Sequence, residues 1–229
     1  MNLGLIGFGR FGQLLFQYLK KDFNIVVYDK NKLEKLSSLE SCKIIILAVP
    51  ISKMEDCLRE ISPYLKTGSL VVDVCSVKET PLKLMNKYLP KGTQTLGTHP
   101  MFGPDSARQT LSGAKVVLCK GSISPEKFEQ VKNYLGSLSL QVVETSAKDH
   151  DEQISRSLLL THLIGRTLIN FGAKELEIDT EGYKRLLTVL EHVGNDSIEL
   201  FKDMNNFNTY AEKLRNNFSK ALEETIQGL

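Results

Sequence analysis

The chain has 229 residues, of which 41% are hydrophobic and 24% charged, and its formal net charge is +2. This length and composition are typical of a globular protein with one large domain or two smaller ones. The balanced charge gives no reason to expect a nucleic-acid or membrane partner. The longest apolar run, residues 44–51, is too short to span a bilayer, and residues 1–9 lack the pattern of a signal peptide. We therefore expect a soluble, cytoplasmic protein.

Residues 1–146 alternate short apolar runs with amphipathic segments. Helices are predicted after four of the apolar runs, and the last of these helices begins at the pair Ser124-Pro125. Continuous apolar strands that alternate with helices indicate a parallel sheet covered on both faces, the α/β class. The strands are predicted at residues 2–8, 24–29, 43–50, 69–76, 94–100, 114–120 and 141–146.

Only helical patterns follow residue 147. A long amphipathic helix is predicted to end near Gly172, a second covers residues 181–193, and residues 196–226 predict one or two more. We therefore expect an α/β domain over residues 1–147 and a small all-helical domain over residues 148–229.

The helical domain is small for an independent fold. Because about 80 residues in a few helices bury little apolar surface, we expect this domain to pack on the first one or to pair with a copy of itself. A homodimer through the helical domain is the commonest closed arrangement.

The string "GFGRFG" at residues 7–12 has the spacing G-x-G-x-x-G and lies between a predicted strand and a predicted helix. In this context the pattern is typical of a Rossmann-type dinucleotide loop: Gly7 permits a tight turn, Gly9 a close approach of pyrophosphate, and Gly12 close helix packing. The alternative is a glycine-rich turn without a ligand. The residues expected to contact the cofactor here are Gly7, Phe8, Gly9, Arg10, Phe11 and Gly12.

Asp29 ends the second predicted strand, about twenty residues after the loop, where a carboxylate binds the adenosine ribose hydroxyls. This carboxylate would repel a 2′-phosphate, so NAD is favoured over NADP. Lys30 and Lys32 weaken the preference because they offer positive charge to a phosphate. Val49 and Pro50 end the third strand and are expected to lie along the cofactor.

Ser76 and His99 lie at the ends of two further predicted strands, at the edge where the nicotinamide is expected. An imidazole there can accept a proton from a substrate hydroxyl as hydride leaves the same carbon, and the serine hydroxyl can orient that oxygen. The alternative is a capping serine and a structural histidine. The pair predicts a dehydrogenase.

The string "GTHPMFGPDS" at residues 97–106 resembles the signature of prephenate and arogenate dehydrogenases. "GFGRFGQ", "SVKE", "KDHDEQISRSLLLTHLIGR" and "GYKRLLTVLEHVGNDSIELF" match the same family in order and spacing, and the likeness is closest to the plant arogenate dehydrogenases. The resemblance covers nearly the whole chain. It implies oxidative decarboxylation of a cyclohexadienol in tyrosine biosynthesis, with His99 as proton acceptor and Ser76 bound to the same oxygen. Because no regulatory domain follows Leu229, feedback by tyrosine is expected to act at the active site.

The resemblance also places the matching histidine of the helical domain, His162, in the substrate pocket; the alternative is a satisfied core residue. Arg166, one turn further on, is either a partner for a substrate carboxylate or a surface arginine. His150 has no role assigned beyond the start of a helix. Glu191 stands where prephenate-specific relatives carry arginine. Since a carboxylate binds an ammonium, Glu191 or Asp196 would favour arogenate, and the alternative for Glu191 is a plain surface acid.

Three alternatives remain open at this point. The first is a prephenate dehydrogenase that gives 4-hydroxyphenylpyruvate. The second is another two-domain dehydrogenase for a hydroxy acid or imino acid, which would carry a catalytic lysine in the helical domain. The third is a non-catalytic NAD-binding sensor. No metal is expected, because the four cysteines and four histidines show no zinc-site spacing, and the cysteines read as buried free thiols of a reducing compartment.

Overall fold

The computed structural model describes residues 1–30, 35–107 and 109–229, so Lys32 lies outside the described residues. The chain divides into two compact units, Met1–His150 and Asp151–Leu229. We call these the sheet unit and the helical unit.

The sheet unit is built on one seven-stranded sheet in the order β2-β1-β3-β4-β5-β6-β7. The central strands are mostly apolar and mostly buried, as is typical of a sheet that has helices on both faces. The strand order reverses beside β1, and Rossmann-type sheets bind their ligands at that switch point. The strands are β1 (Asn2–Ile6), β2 (Asn24–Tyr28), β3 (Ile44–Leu47), β4 (Leu70–Asp73), β5 (Gln94–Pro100), β6 (Lys115–Lys120) and β7 (Gln141–Glu144).

The prediction of a fully parallel sheet is wrong at one strand. β6 runs antiparallel to β5, with His99 opposite Val117, whereas the other neighbouring pairs in the sheet are parallel. A parallel neighbour needs a crossover connection, usually a helix. The described residues between β5 and β6 form turns and irregular backbone instead, so the chain returns in the opposite direction.

Four α-helices follow the predicted pattern in the described part of the sheet unit, with short 3₁₀ turns beside α2. The Ser-Pro start of α4 is confirmed, because the Ser124 hydroxyl accepts the Lys127 backbone N–H at 3.4 Å. All four cysteines are buried free thiols, as predicted. The helices are α1 (Arg10–Leu19), α2 (Met54–Ile61), α3 (Glu79–Tyr88) and α4 (Pro125–Ser137).

The helical unit contains helices alone over its whole length, as predicted. Its first helix, predicted as continuous, contains a π-helical turn at Ser155–Leu159 and ends at Gly172, whose φ of +80° is the left-handed conformation that glycine favours. In the described residues no helix is long and apolar enough to cross a membrane. The helices are α5 (Ala147–Ile154), which contains the unit boundary, then α6 (Leu160–Phe171), α7 (Glu181–Gly194), α8 (Ile198–Phe207) and α9 (Ala211–Gln227).

Candidate active site

At two positions of the loop between β1 and α1, only glycine fits, because any Cβ would clash with a backbone oxygen. Gly7 has φ +90°, and a Cβ there would lie 2.3 Å from the Ala48 carbonyl oxygen. A Cβ on Gly12 would lie 2.2 Å from the Gly7 carbonyl oxygen. The Gly7 N–H donates to the Tyr28 carbonyl at 2.9 Å, which fixes the turn to the end of β2. The two glycines therefore allow β1, β2 and α1 to pack closely together at this loop.

Gly9 differs from both of these glycines, because a Cβ at this position would meet nothing within 4 Å. Gly9 is also the N-cap of α1, and no side chain caps the helix there. A helix N-terminus with open space beside it presents N–H groups to an anion. These features fit the pyrophosphate of a dinucleotide, which this loop would hold.

Asp29 lies directly after β2, and its Oδ2 accepts the Phe8 backbone N–H at 2.8 Å. This bond places the carboxylate beside the glycine loop, where it can meet an adenosine ribose. Lys30 is exposed. At the end of β3, Val49 packs near Gly7 and Pro50 is exposed.

Arg10 and Phe11 turn toward the segment after β5. The Arg10 guanidinium donates to Asp105 Oδ1 at 2.6 Å, and the ring of Phe11 lies 6.3 Å from that of Phe102. The loop and the signature string of residues 97–106 are thus joined by an ion pair and an aromatic contact.

The ends of β4 and β5 bring the predicted serine and histidine to one edge of the sheet. Asp73 pairs with Gly97 in parallel register, Ser76 follows three residues after Asp73, and His99 lies two residues after Gly97. The Ser76 hydroxyl is buried and has no hydrogen-bond partner among the residues that the structure describes. A buried hydroxyl without a partner is costly, so this atom is suited to bind a ligand oxygen.

His99 is 6% exposed, and its Nδ1 lies 2.9 Å from Nε2 of His150. Burial lowers the pKa of His99 well below its usual value, and the neighbouring His150 and the Lys78 ammonium lower it further. At neutral pH the imidazole is therefore uncharged, the state in which it can accept a proton.

A buried ion pair beneath this edge was not predicted from the sequence. Asp73 and Lys78 both have fully buried side chains and form a salt bridge, and the Lys78 ammonium also donates to the Thr98 carbonyl at 2.6 Å. Burial raises the pKa of the Asp73 carboxyl, and the nearby ammonium opposes that shift. The pair ties the end of β4 to the residue that precedes His99. No periodicity marks Lys78 as buried. Its place in the string "SVKE" is the feature of the sequence that could have drawn attention to it.

A second cluster lies in the helical unit. His162 Nε2 is 3.4 Å from Asp196 Oδ2, and Arg166 donates to the Asp196 carbonyl at 2.5 Å. The ring of Phe201 stacks on His162 with an interplanar angle of 15°. Burial is the main cause that lowers the pKa of His162. The charge of Asp196 raises this pKa, and the charge of Arg166 lowers it further. Within the described part of the chain, His162 Nδ1 and Arg166 Nε are buried and have no hydrogen-bond partner.

The predicted site residues of the helical unit are therefore only partly brought together. His162, Arg166 and Asp196 form the cluster, but Glu191 is exposed on α7. In the described part of the chain, the Glu191 side chain makes no hydrogen bond or ion pair.

The dinucleotide loop, the carboxylate after β2, and the buried serine and histidine at the carboxyl edge of the sheet define a nicotinamide-dependent dehydrogenase of the Rossmann class. Comparison with known sequences identifies the family within this class of dehydrogenases. The profile of the "Prephenate dehydrogenase, nucleotide-binding domain" matches residues 17–144, and that of the "TYRAAT1-like, C-terminal domain" matches residues 167–229.

Arogenate dehydrogenase 2, chloroplastic, of Arabidopsis thaliana is 31% identical over 251 aligned positions, which cover 100% of this chain and 70% of that protein. Arogenate dehydrogenase 1, chloroplastic, of the same plant is 30% identical, and the alignment covers 97% of this chain but 38% of the relative. A probable arogenate/prephenate dehydrogenase of Methanocaldococcus jannaschii is 27% identical over 93% of this chain and 53% of its own length. The chain therefore spans between 38% and 70% of the length of these relatives.

Solved structures share the fold. The Synechocystis arogenate dehydrogenase aligns over 99% of this chain and 91% of its own, with a TM-score of 0.71 and 22% identity. A prephenate dehydrogenase from A. aeolicus, in complex with hydroxyphenyl propionate and NAD⁺, covers 98% and 88% with a TM-score of 0.77 and 19% identity. The chain belongs to the prephenate dehydrogenase family of NAD(P)-dependent oxidoreductases, and the resemblance inferred from its motifs is confirmed.

Proposed function

We propose that this protein oxidatively decarboxylates arogenate to tyrosine and transfers hydride to NAD. Family membership supports the reaction type. The chemistry is supported by the buried Ser76 hydroxyl, which has no partner among the described residues and follows β4 at the same sheet edge as the uncharged His99. A sensor that had lost its chemistry would have no need of a hydroxyl buried at the cost of a hydrogen bond.

His99 accepts the proton of the ring hydroxyl at Nε2, since its Nδ1 is occupied by His150. Ser76 hydrogen-bonds the same oxygen and holds it in place. The bound nicotinamide supplies the hydride acceptor, while the ring carboxylate leaves as CO₂ and its electron pair makes the ring aromatic. The proton then returns from His99 to the phenolate oxygen, so the reaction consumes no net proton. Aromatisation makes the step downhill, so the chain mainly supplies position and a proton acceptor.

In this proposal the carboxylate of Asp196 determines the preference for arogenate over prephenate as substrate. Asp196 lies 3.4 Å from His162, within a cluster that contains two buried nitrogens without partners, whereas Glu191 is exposed and apart from it. Arogenate has an ammonium group where prephenate has a ketone, and a carboxylate attracts only the former. In the same cluster, Arg166 and His162 are suited to a substrate carboxylate.

Asp29 supports NAD over NADP, because its carboxylate lies beside the loop and would repel a 2′-phosphate. Relatives in yeasts include enzymes named prephenate dehydrogenase [NADP(+)], so the family accommodates either cofactor. We also propose a homodimer formed through the helical unit. It is supported by large apolar side chains exposed there, among them Phe171 and Ile178. The cytoplasmic location stays a prediction.

The decisive experiment supplies the purified protein with arogenate or prephenate, each with NAD⁺ or NADP⁺, and follows reduced nicotinamide by its absorbance. We expect the highest kcat/KM with arogenate and NAD⁺. Turnover of prephenate alone would contradict the role of Asp196 and favour Arg166 as the partner of a keto-acid carboxylate. Cofactor binding without turnover of either substrate would favour the sensor.

Asp196→Asn tests the specificity residue directly. Because it removes the charge but keeps the shape, kcat/KM for arogenate should fall by about 10- to 100-fold, the effect of losing one charge-assisted contact. The rate with prephenate should fall less. Glu191→Gln is the matched control, because it removes an exposed carboxylate of α7, and it should leave both rates within about twofold.

A further inference from the structure

His99 and His150 share a hydrogen bond, and the proposed reaction determines which of the two histidines must be the donor. Nδ1 of His99 and Nε2 of His150 are 2.9 Å apart, and the rings meet edge to face at 71° with centroids 5.1 Å apart. Both side chains are buried, with exposed fractions of 6% and 3%. A hydrogen bond between two imidazole nitrogens needs one nitrogen with a proton and one without, so the tautomer of one histidine determines which nitrogen of the other can take part.

Two arrangements satisfy this bond. If His150 donates, the proton of neutral His99 lies on Nε2, and His99 has no free lone pair to accept a substrate proton. If His99 donates from Nδ1, its Nε2 carries a lone pair and can act as a base. Only the second arrangement is compatible with a proton acceptor at this position.

We infer that His150 is a positioning residue, which accepts the Nδ1–H of His99 and so keeps the Nε2 lone pair of His99 available to the substrate hydroxyl. This inference rests on the proposed function, in which His99 is the base.

The same hydrogen bond contributes more as the reaction proceeds. When Nε2 takes the substrate proton, His99 becomes an imidazolium, and its Nδ1–H bond to His150 becomes charge-assisted, which strengthens it. Strengthening that is confined to the transition state raises kcat rather than lowering KM. The Lys78 ammonium, which is paired with Asp73, also acts on His99. Its positive charge disfavours the imidazolium form of His99. An acceptor of fixed orientation on the opposite nitrogen offsets that repulsion.

The chain is well suited to a direct measurement of the tautomer, because it contains only four histidines: His99, His150, His162 and His192. Long-range ¹H–¹⁵N correlation spectra of the ¹⁵N-histidine-labelled wild type distinguish Nδ1–H from Nε2–H. His99→Asn and His192→Asn assign the signals. We expect His99 as the Nδ1–H tautomer and His150 with an unprotonated Nε2. An Nε2–H tautomer of His99 at neutral pH would overturn the inference without any assay of activity.

Two variants separate positioning from packing, with arogenate and NAD⁺ as substrates. His150→Gln keeps an oxygen acceptor, and kcat should stay within about threefold of the wild type. His150→Leu keeps the bulk but removes the acceptor, and kcat should fall by about 10- to 100-fold, within the usual range of general-base effects, while KM and the Kd for NAD⁺ stay within about twofold. The exposed residue His192, changed to Leu, is the matched control and should leave kcat unchanged.

A folded His150→Leu protein with the wild-type kcat would overturn the inference, as would a folded His150→Gln protein as slow as His150→Leu. If His150→Leu does not fold, the wild-type tautomer still decides the matter. Absence of turnover by the wild type would count against the proposed function alone, because the tautomer is measured without substrate.

Discussion

The sheet unit and the helical unit bury their apolar side chains to very different extents. Of the described residues, the helical unit contributes only six to the buried apolar core: Ile154, Leu159, Leu187, Val193, Met204 and Ala211. It contributes most of the large apolar side chains that are exposed, with Phe171 at 83% and Ile178 at 92%. A sheet covered on both faces closes its own core, whereas a few helices in one layer leave apolar surface for a partner.

The polar groups of the two units differ in the same way. In the sheet unit, Asp73, Lys78 and His99 are almost completely buried and each has a defined partner, although Asp73 Oδ2 and the Ser76 hydroxyl have none among the described residues. In the helical unit, the Asp196 side chain is 38% exposed, and His162 Nδ1 has no hydrogen-bond partner in the described ranges 1–30, 35–107 and 109–229. The proton acceptor is thus held rigidly, while the groups proposed for substrate recognition retain unused hydrogen-bonding capacity.

The buried ion pair gives the largest expected difference between the units. Lys78→Met leaves the Asp73 carboxylate buried without its cation, and the free energy of unfolding of the sheet unit should fall by about 3–5 kcal/mol. Urea unfolding followed by far-UV circular dichroism measures this change.

Two controls make that result specific. Lys83→Met, an exposed lysine on the same helix α3, should change stability by no more than about 0.5 kcal/mol. Adding Asp73→Asn to Lys78→Met removes the uncompensated charge and should recover at least half of the loss. A fall below about 1 kcal/mol for Lys78→Met alone would show that the carboxylate is not a buried charge.

A smaller effect is expected where the helical unit is most tightly packed. A Cβ on Gly165 of α6 would lie 2.8 Å from the Cβ of Val193 on α7, so Gly165→Ala must push the helices apart. We expect a loss of about 1–3 kcal/mol, the usual cost of overpacking. Gly194→Ala is the matched control: its Cβ meets nothing within 4 Å, and it should stabilise α7 by about 0.5–1 kcal/mol. Equal effects of the two substitutions would contradict close packing of α6 on α7.

The smallest effect on the stability of the chain itself is expected at the exposed apolar residues. Phe171→Ser together with Ile178→Ser removes little that is buried within the chain, so the unfolding free energy of the monomer should change by at most about 0.5 kcal/mol. The proposed dimer should nonetheless dissociate at concentrations where the wild type remains associated, as analytical ultracentrifugation would show. Met101→Ser and Val143→Ser, at exposed apolar residues of the sheet unit, form the control pair. A wild type that is monomeric throughout would contradict the proposed dimer.

Much of the fold could be predicted because the spacing of apolar residues along the sequence indicates which side chains are buried. Apolar runs gave all seven described strands, and helical spacing gave the main helices to within a few residues. The direction of β6 could not be predicted in this way, because a strand reads alike whether it runs parallel or antiparallel. Only the missing crossover helix before it distinguishes the two.

The site was predictable where a motif fixes geometry and not where two distant residues meet. The glycine spacing predicted a turn whose backbone tolerates no Cβ at Gly7 or Gly12. The contact of His99 with His150 joins residues 51 positions apart, and the Asp73–Lys78 pair is hidden within an apolar stretch. Burial of such polar groups depends on tertiary packing, which one sequence alone does not reveal.

The antiparallel return of β6 has a consequence for how the base is held. His99 lies within β5 itself, where it pairs with Val117 of β6 two residues beyond the last pair of β5 with β4, and not on a loop beyond the sheet. Its backbone is therefore already ordered before any substrate arrives, and binding need not spend conformational entropy to bring the imidazole into place. Substrate and cofactor come to a stationary base, and the motion that a reaction cycle needs is left to other parts of the chain.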